Sequence, residues 1–172
     1  KDKHITLEEG KEKIKHLVNL EEDNIYYELS TTGAKKCLGK TKVYDNIYYF
    51  SYYGRRTRRK FGIEYPSKDI WLPLRLFSPF ECLYRDADHK GEYWQANDGI
   101  VNVGAAHHPD GQPFVEWADI KSFDQIKPGI WHSMPVEWKD HTSYMGVGET
   151  HEGYQKFFKD ILDRITDLPV IE

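Results

Sequence analysis

The sequence predicts an α/β fold, with too few strands to complete a sheet by itself. Three observations lead there. Asn46-Ile47-Tyr48-Tyr49-Phe50-Ser51-Tyr52 is dense in strand-forming residues. Tyr154, Phe157, Phe158, Ile161, Leu162 and Ile165 recur at the spacing of one helix face near the end of the chain. Between them lie long irregular connections and only one or two further strand candidates. Parallel strands are normally covered on both faces. The inventory therefore predicts part of a sheet, a covering C-terminal helix, and missing neighbours.

Taken in order, the first element is a helix opened by Thr6-Leu7-Glu8-Glu9, where the threonine oxygen caps an amide and Glu9 reaches back. Leu7, Ile14, Leu17 and Val18 form its apolar face, Gly10 weakens it, and Asn19 ends it. Ser30 to Lys42 holds a short lysine-rich amphipathic segment closing near Gly39. The strand over Asn46–Tyr52 follows. From Gly54 to Pro79 the chain reads as irregular, because Pro66, Pro73 and Pro79 interrupt any long element. A new element starts directly after Asp98, within Gly99-Ile100-Val101-Asn102-Val103. His108-Pro109-Asp110-Gly111-Gln112-Pro113 has the composition of a turn. Gly129–Met134 is a final short strand, and Pro169 stops the last helix.

Composition excludes several classes. A formal charge of −4 argues against a dedicated nucleic-acid or anionic-surface binder. No apolar run approaches the roughly 20 residues that span a bilayer, so no transmembrane segment is expected. Cys37 and Cys82 have neither metal-finger nor C-x-x-C spacing and read as buried free thiols, which leaves the compartment open.

The chemistry concentrates in two stretches, Gln95-Ala96-Asn97-Asp98-Gly99-Ile100-Val101-Asn102 and Glu137-Trp138-Lys139-Asp140-His141. A carboxylate at a strand end, then a loop histidine before the last helix, is how α/β-hydrolases supply two of three triad members, in the order Ser, Asp, His. Asp98 is the candidate acid and His141 the candidate general base. An imidazole titrating near neutrality can take a proton from a nucleophile and return it to a leaving alcohol. The nucleophile should lie upstream, and no G-x-S-x-G occurs in the 172 residues. The fold class is accordingly the C-terminal half of an α/β-hydrolase. Residues 1–172 are expected to form the C-terminal portion of one such domain, inactive without its N-terminal half.

With those residues in place, the chain resembles the C-terminal part of the zinc-containing bacterial lipases, the staphylococcal and thermophilic bacillus lipases with their clostridial esterase relatives. Five segments carry the resemblance in the right order: Asp23–Ala34, Asn46–Tyr49, Tyr93–Asn102, Lys127–Trp131, and Asp140-His141 closing on Gly146. The resemblance implies a secreted carboxylic ester hydrolase acting on triacylglycerols or shorter esters, with Asp98 and His141 in its triad. It also implies a structural zinc ion with Asp23 as one ligand, the others being two histidines and an aspartate upstream of this chain. Calcium is where the sequence departs from the family. The acidic ligands expected two and seven residues after the histidine are replaced by Ser143 and Gly148, with Glu149 adjacent, so a bound calcium is doubtful.

Other features take blander readings. Arg55-Arg56-Thr57-Arg58-Arg59-Lys60 reads as a solvated loop without a nucleic-acid module. The apolar stretch from Trp71 to Phe80 suits an acyl pocket or ordinary core. His107-His108 and His151-Glu152 read as surface residues. Aromatics make up 15% of the chain, which keeps a rival class open: a non-catalytic carbohydrate-binding module, or a pseudoenzyme fragment.

Overall fold

A run of β-branched and aromatic residues opens the described core. Tyr49–Ser51 forms strand β1, shorter than the stretch expected from Asn46 to Tyr52. The computed structural model describes residues 36–38, 41–83 and 89–171. The expected first helix, the Asp23–Ala34 segment and Asp23 itself lie outside the described residues. Packing divides the chain into Lys1–Lys42 and Val43–Glu172, and everything below concerns the second unit.

β1 is followed by β2 (Thr57–Lys60) and β3 (Ile63–Pro66), then helix α1 (Leu72–Cys82) and the short helices α2 (Glu92–Gln95) and α3 (Val103–His107). β4 (Phe114–Glu116), β5 (Trp131–Ser133) and the closing helix α4 (His151–Thr166) complete the unit. β1, β5 and β4 form a parallel sheet with β5 in the middle. The register sets Phe50 and Val115 beside His132, and Ser51 and Glu116 beside Ser133. The β1–β5 alignment runs on past the strands. Met134 donates to the Ser51 carbonyl (3.0 Å), Glu137 to that of Tyr53 (3.0 Å), and Arg55 to that of Glu137 (2.8 Å). This extension carries the chain from β5 towards His141. Among the described residues no helix is long and apolar enough to cross a membrane.

The segment from Gly54 to Pro79 corrects the expected irregular stretch. β2 and β3 form an antiparallel hairpin, pairing Thr57 with Pro66 and Lys60 with Ile63. Thr57–Lys60 of the basic run is therefore strand rather than loop, with Arg58, Arg59 and Lys60 still exposed. Thr57 is fully buried, and Arg55 is paired with the buried Glu64 (2.8 Å). α1 also forms in spite of its prolines. Pro73 stands in the first turn, where an amide has no intrahelical partner to lose. Pro79 costs only the single bond to the Arg75 carbonyl.

α1 buries Leu74, Ser78 and Cys82 and leaves Leu72, Leu76, Phe77 and Phe80 exposed, so the Trp71–Phe80 stretch is neither an enclosed pocket nor plain core. Cys82 is a buried free thiol, as expected, whereas Cys37 is exposed. His108–Pro113 makes the expected turn, closed by the Gln112 amide on the Pro109 carbonyl (3.2 Å). α4 starts where Thr150 Oγ1 accepts from the Gly153 amide (3.0 Å). Its expected apolar stripe is present but only half covered, with Phe157 and Ile161 partly buried and Leu162 exposed.

Candidate active site

Asp98 sits in a turn that its own neighbours lock. Its Oδ1 accepts from the amides of Ile100 (3.1 Å) and Val101 (2.9 Å), an Asx arrangement that fixes the carboxylate plane. Asn97, fully buried, holds the turn from below. Its Oδ1 accepts from Ser78 Oγ (2.7 Å) and the Gly99 amide (3.0 Å), and its Nδ2 donates to the Gln95 carbonyl (3.0 Å). Its amide donates to Thr57 Oγ1 (3.2 Å), and its carbonyl accepts from the Arg56 amide (2.8 Å). Gly99 follows with φ +114°, and a Cβ there would stand 2.7 Å from Leu74 Cβ. Only glycine permits both that backbone and the close passage of α1. The element expected directly after Asp98 begins only at Val103, as α3 with Asn102 at its N-cap, because the Asp98 turn occupies the residues between.

His141 meets Asp98 twice. Its amide donates to the Asp98 carbonyl (2.9 Å), and its Nδ1 lies 2.9 Å from Asp98 Oδ2. The carboxylate side chain is 8% exposed and the imidazole 44% exposed. Asp98 thereby holds the ring proton on Nδ1 and leaves the Nε2 lone pair directed at the exposed side. Nε2 has no hydrogen-bond partner among the described residues.

The backbone of the histidine loop is set by Asp140, the residue before His141. Asp140 Oδ1 accepts from the Thr142 amide (3.1 Å), Thr142 Oγ1 (2.8 Å), the Ser143 amide (3.0 Å) and Ser143 Oγ (3.2 Å). Its Oδ2 accepts from the Trp71 amide at the start of α1 (2.9 Å). Burial pushes this carboxyl towards protonation, but the bonds from Trp71, Thr142 and Ser143 outweigh it and hold the pKa below the ordinary value. The signal in the sequence was Asp140-His141-Thr142-Ser143, a local side-chain-to-backbone turn composition. Glu81 lies close by and is shifted the other way. Burial raises its pKa, the Asn102 amide group at 2.6 Å opposes that, and the charge of Asp98 adds to the rise.

The other described histidines have different occupations. His132 is fully buried, with Nδ1 on the Tyr49 carbonyl (2.9 Å) and Nε2 accepting from the Lys127 amide (3.2 Å). Burial lowers its pKa, and both nitrogens are committed to the fold. His107 corrects the expected surface position: it is buried, with Nε2 2.8 Å from Glu116 and Nδ1 2.5 Å from His108. Its ring packs edge-on to Tyr53, Tyr93 and Phe114.

Asp23 lies outside the described residues, and the described residues hold no group of three or more His, Cys, Asp or Glu arranged for a metal. The positions considered for calcium fit that ion poorly. Ser143 Oγ donates to Asp140, and Glu149 is paired with Lys139 (3.0 Å).

A buried carboxylate orienting an exposed imidazole beyond the end of a parallel strand defines an acid–base pair on an α/β scaffold. Comparison with known proteins then places the chain. It belongs to the family described as "Lipase-like, C-terminal domain", whose model matches residues 11–168. Lipase 1 of Staphylococcus aureus (strain NCTC 8325 / PS 47) is 31% identical over 151 residues, covering 82% of this chain and 20% of that lipase. In fold, the chain is similar to Staphylococcus hyicus lipase (TM-score 0.72, 22% identity, 96% of this chain and 43% of that one). It is similar also to EstA from Clostridium botulinum (TM-score 0.69, 22% identity, 91% and 39%). The chain thus spans a fifth of the staphylococcal lipase it matches and under half of either solved relative. The expected resemblance to the C-terminal part of bacterial lipases is borne out.

Proposed function

We propose that this chain supplies the acid and the general base of a Ser-Asp-His triad in an enzyme that hydrolyses carboxylic esters of lipids. The 2.9 Å contact between His141 Nδ1 and Asp98 Oδ2 carries the reading. His141 Nε2 removes the proton from a serine hydroxyl as it attacks the ester carbonyl, then delivers it to the departing alcohol. Asp98 keeps the tautomer and stabilises the imidazolium. The serine and the oxyanion-hole donors reside on polypeptide outside these 172 residues, which completes the α/β-hydrolase sheet beside β1, β5 and β4. Asp140 is a positioning residue: it holds the loop so that the imidazole meets both its acid and its nucleophile.

Secretion and a structural zinc ion with Asp23 among its ligands belong to the same reading and rest on the resemblance of the Asp23–Ala34 segment to the zinc-containing lipases. No step of the reaction runs through the zinc. The test is hydrolysis of a water-soluble short-chain ester by the complete enzyme. Asp98→Asn should lower turnover by about 10⁴, and His141→Ala should abolish it. An active His141→Ala enzyme would reject the assignment.

A further inference from the structure

The β2–β3 hairpin holds features that the hydrolytic site does not use. Its two turn residues, Phe61 and Gly62, have φ of +50° and +78°. A two-residue hairpin of this type calls for positive φ at both positions, and Asn-Gly is the natural pair. Phenylalanine there is strained. Burial does not repay the strain, because Phe61 is 102% exposed at the tip of the hairpin.

The surroundings are cationic. A groove of about 690 Å³ behind the tip is lined by Arg58, Lys60, Tyr65, Lys68 and Arg75. Among the described residues its one acidic lining residue, Asp69, is neutralised by Arg56 at 2.9 Å. Lys60, Lys68 and Arg75 make no ion pair among the described residues. On a chain of net charge −4 this patch runs against the average. The hairpin is also fastened to the histidine loop. Arg58 stacks over Trp138 (4.6 Å), and Arg56 donates to the Trp138 carbonyl (2.6 Å), three residues before His141.

We propose that the hairpin tip is an anchor for an anionic lipid surface. Phe61 enters the headgroup boundary, Tyr65 rests at its level, and Lys60, Lys68 and Arg75 meet lipid phosphates. Aromatic side chains favour that boundary, and basic side chains on flexible stems gain from a negative leaflet. A polyanion such as nucleic acid would use the cations but would have no need of a strained apolar tip. The proposal deepens the lipid-ester reading and rests on it, since the anchor would bring the His141 loop to its substrate.

The test is co-sedimentation of the complete enzyme with phosphatidylcholine vesicles, with and without phosphatidylglycerol. Binding should require phosphatidylglycerol and weaken as salt is raised. Lys60→Glu with Lys68→Glu should reduce it about tenfold or more. Phe61→Asn suits the left-handed backbone, so it should raise the melting temperature while lowering vesicle binding about fivefold. Both variants should keep hydrolysis of a soluble short-chain ester. Equal binding to both vesicle types, or binding untouched by Phe61→Asn, overturns the anchor, as does an oligonucleotide bound equally well with or without Phe61. An enzyme that hydrolyses soluble ester yet ignores anionic vesicles defeats the anchor alone. One that binds those vesicles but hydrolyses no ester defeats the hydrolase reading and leaves the anchor standing.

Discussion

The histidine loop and the closing helix α4 are neighbours in sequence and are held by opposite means. Asp98 and Asp140, both buried, fix the loop through a dense set of polar bonds to backbone and side chains. α4 has no fully buried residue. It rests on a few aromatic contacts, such as Phe157 edge-on to Tyr52 (5.8 Å) and Phe157 beside Tyr144 (5.5 Å). The Arg164 bond to Tyr52 Oη (2.8 Å) adds to these. Polar bonds demand distance and direction, whereas apolar contact tolerates sliding. Under the proposed function the loop must place one nitrogen to within tenths of an ångström, and bonds of the first kind can do so.

The sharpest way to break this contrast is at the loop. Asp98→Asn should cost about four orders of magnitude in turnover with little loss of stability, read as kcat on a soluble ester. Asp140→Ala leaves the amides and hydroxyls of Thr142 and Ser143 and the Trp71 amide without their acceptor. A loss of about 3 kcal/mol in unfolding free energy is expected, with kcat reduced and KM for a small ester nearly unchanged. Its pH signature separates it from a packing defect. The Asp140 pKa is lowered in the folded state, so its contribution is present above the unfolded value of about 3.9 and fades as pH falls through the folded value. Asp140→Asn should flatten that acid limb in a urea titration series.

Gly99→Ala tests the close passage beneath Asp98. The added Cβ meets Leu74 at 2.7 Å on a backbone of φ +114°, and about 2 kcal/mol should be lost. Leu162→Gln on the exposed side of α4 should change stability by less than about 0.5 kcal/mol. A loss of several times that would mean that this face is covered in solution. The smallest effect belongs to Glu81→Gln. The Glu81 pKa is raised, so the wild-type contribution is full below the unfolded value of about 4.3 and is lost as pH rises through the folded value. The variant should gain melting temperature relative to wild type between acid and neutral pH.

Legibility followed the range of the interactions. The turn at His108–Pro113, strand β5 and helix α4 each declare themselves within a few residues, through turn formers, a short apolar run and a 3.6-residue period. The hairpin is hidden in the sequence because its turn is Phe61-Gly62 rather than Asn-Gly, and because a run of Arg and Lys resembles a solvated loop. The run is structured by Glu64, which takes Arg55 at 2.8 Å from the opposite strand. α1 is hidden in the sequence because its prolines resemble interruptions, although Pro73 stands where a helix begins. Nothing in the spacing of His107 foretells its burial, and only the aromatic rings around it show why it is buried.

What the sequence by itself singled out is a candidate pair: one carboxylate and one imidazole, in a given order, with turn-forming neighbours that can hold them. Such choices are written in residue type and local spacing, so they survive without coordinates. Only the tertiary structure decided that Asp98 and His141, 43 positions apart, share one hydrogen bond, and that Asp140 turns inward to Trp71 rather than out to water. A buried carboxylate is tolerated only where donors converge on it from several elements, and that convergence exists only once the parallel sheet and α1 have packed.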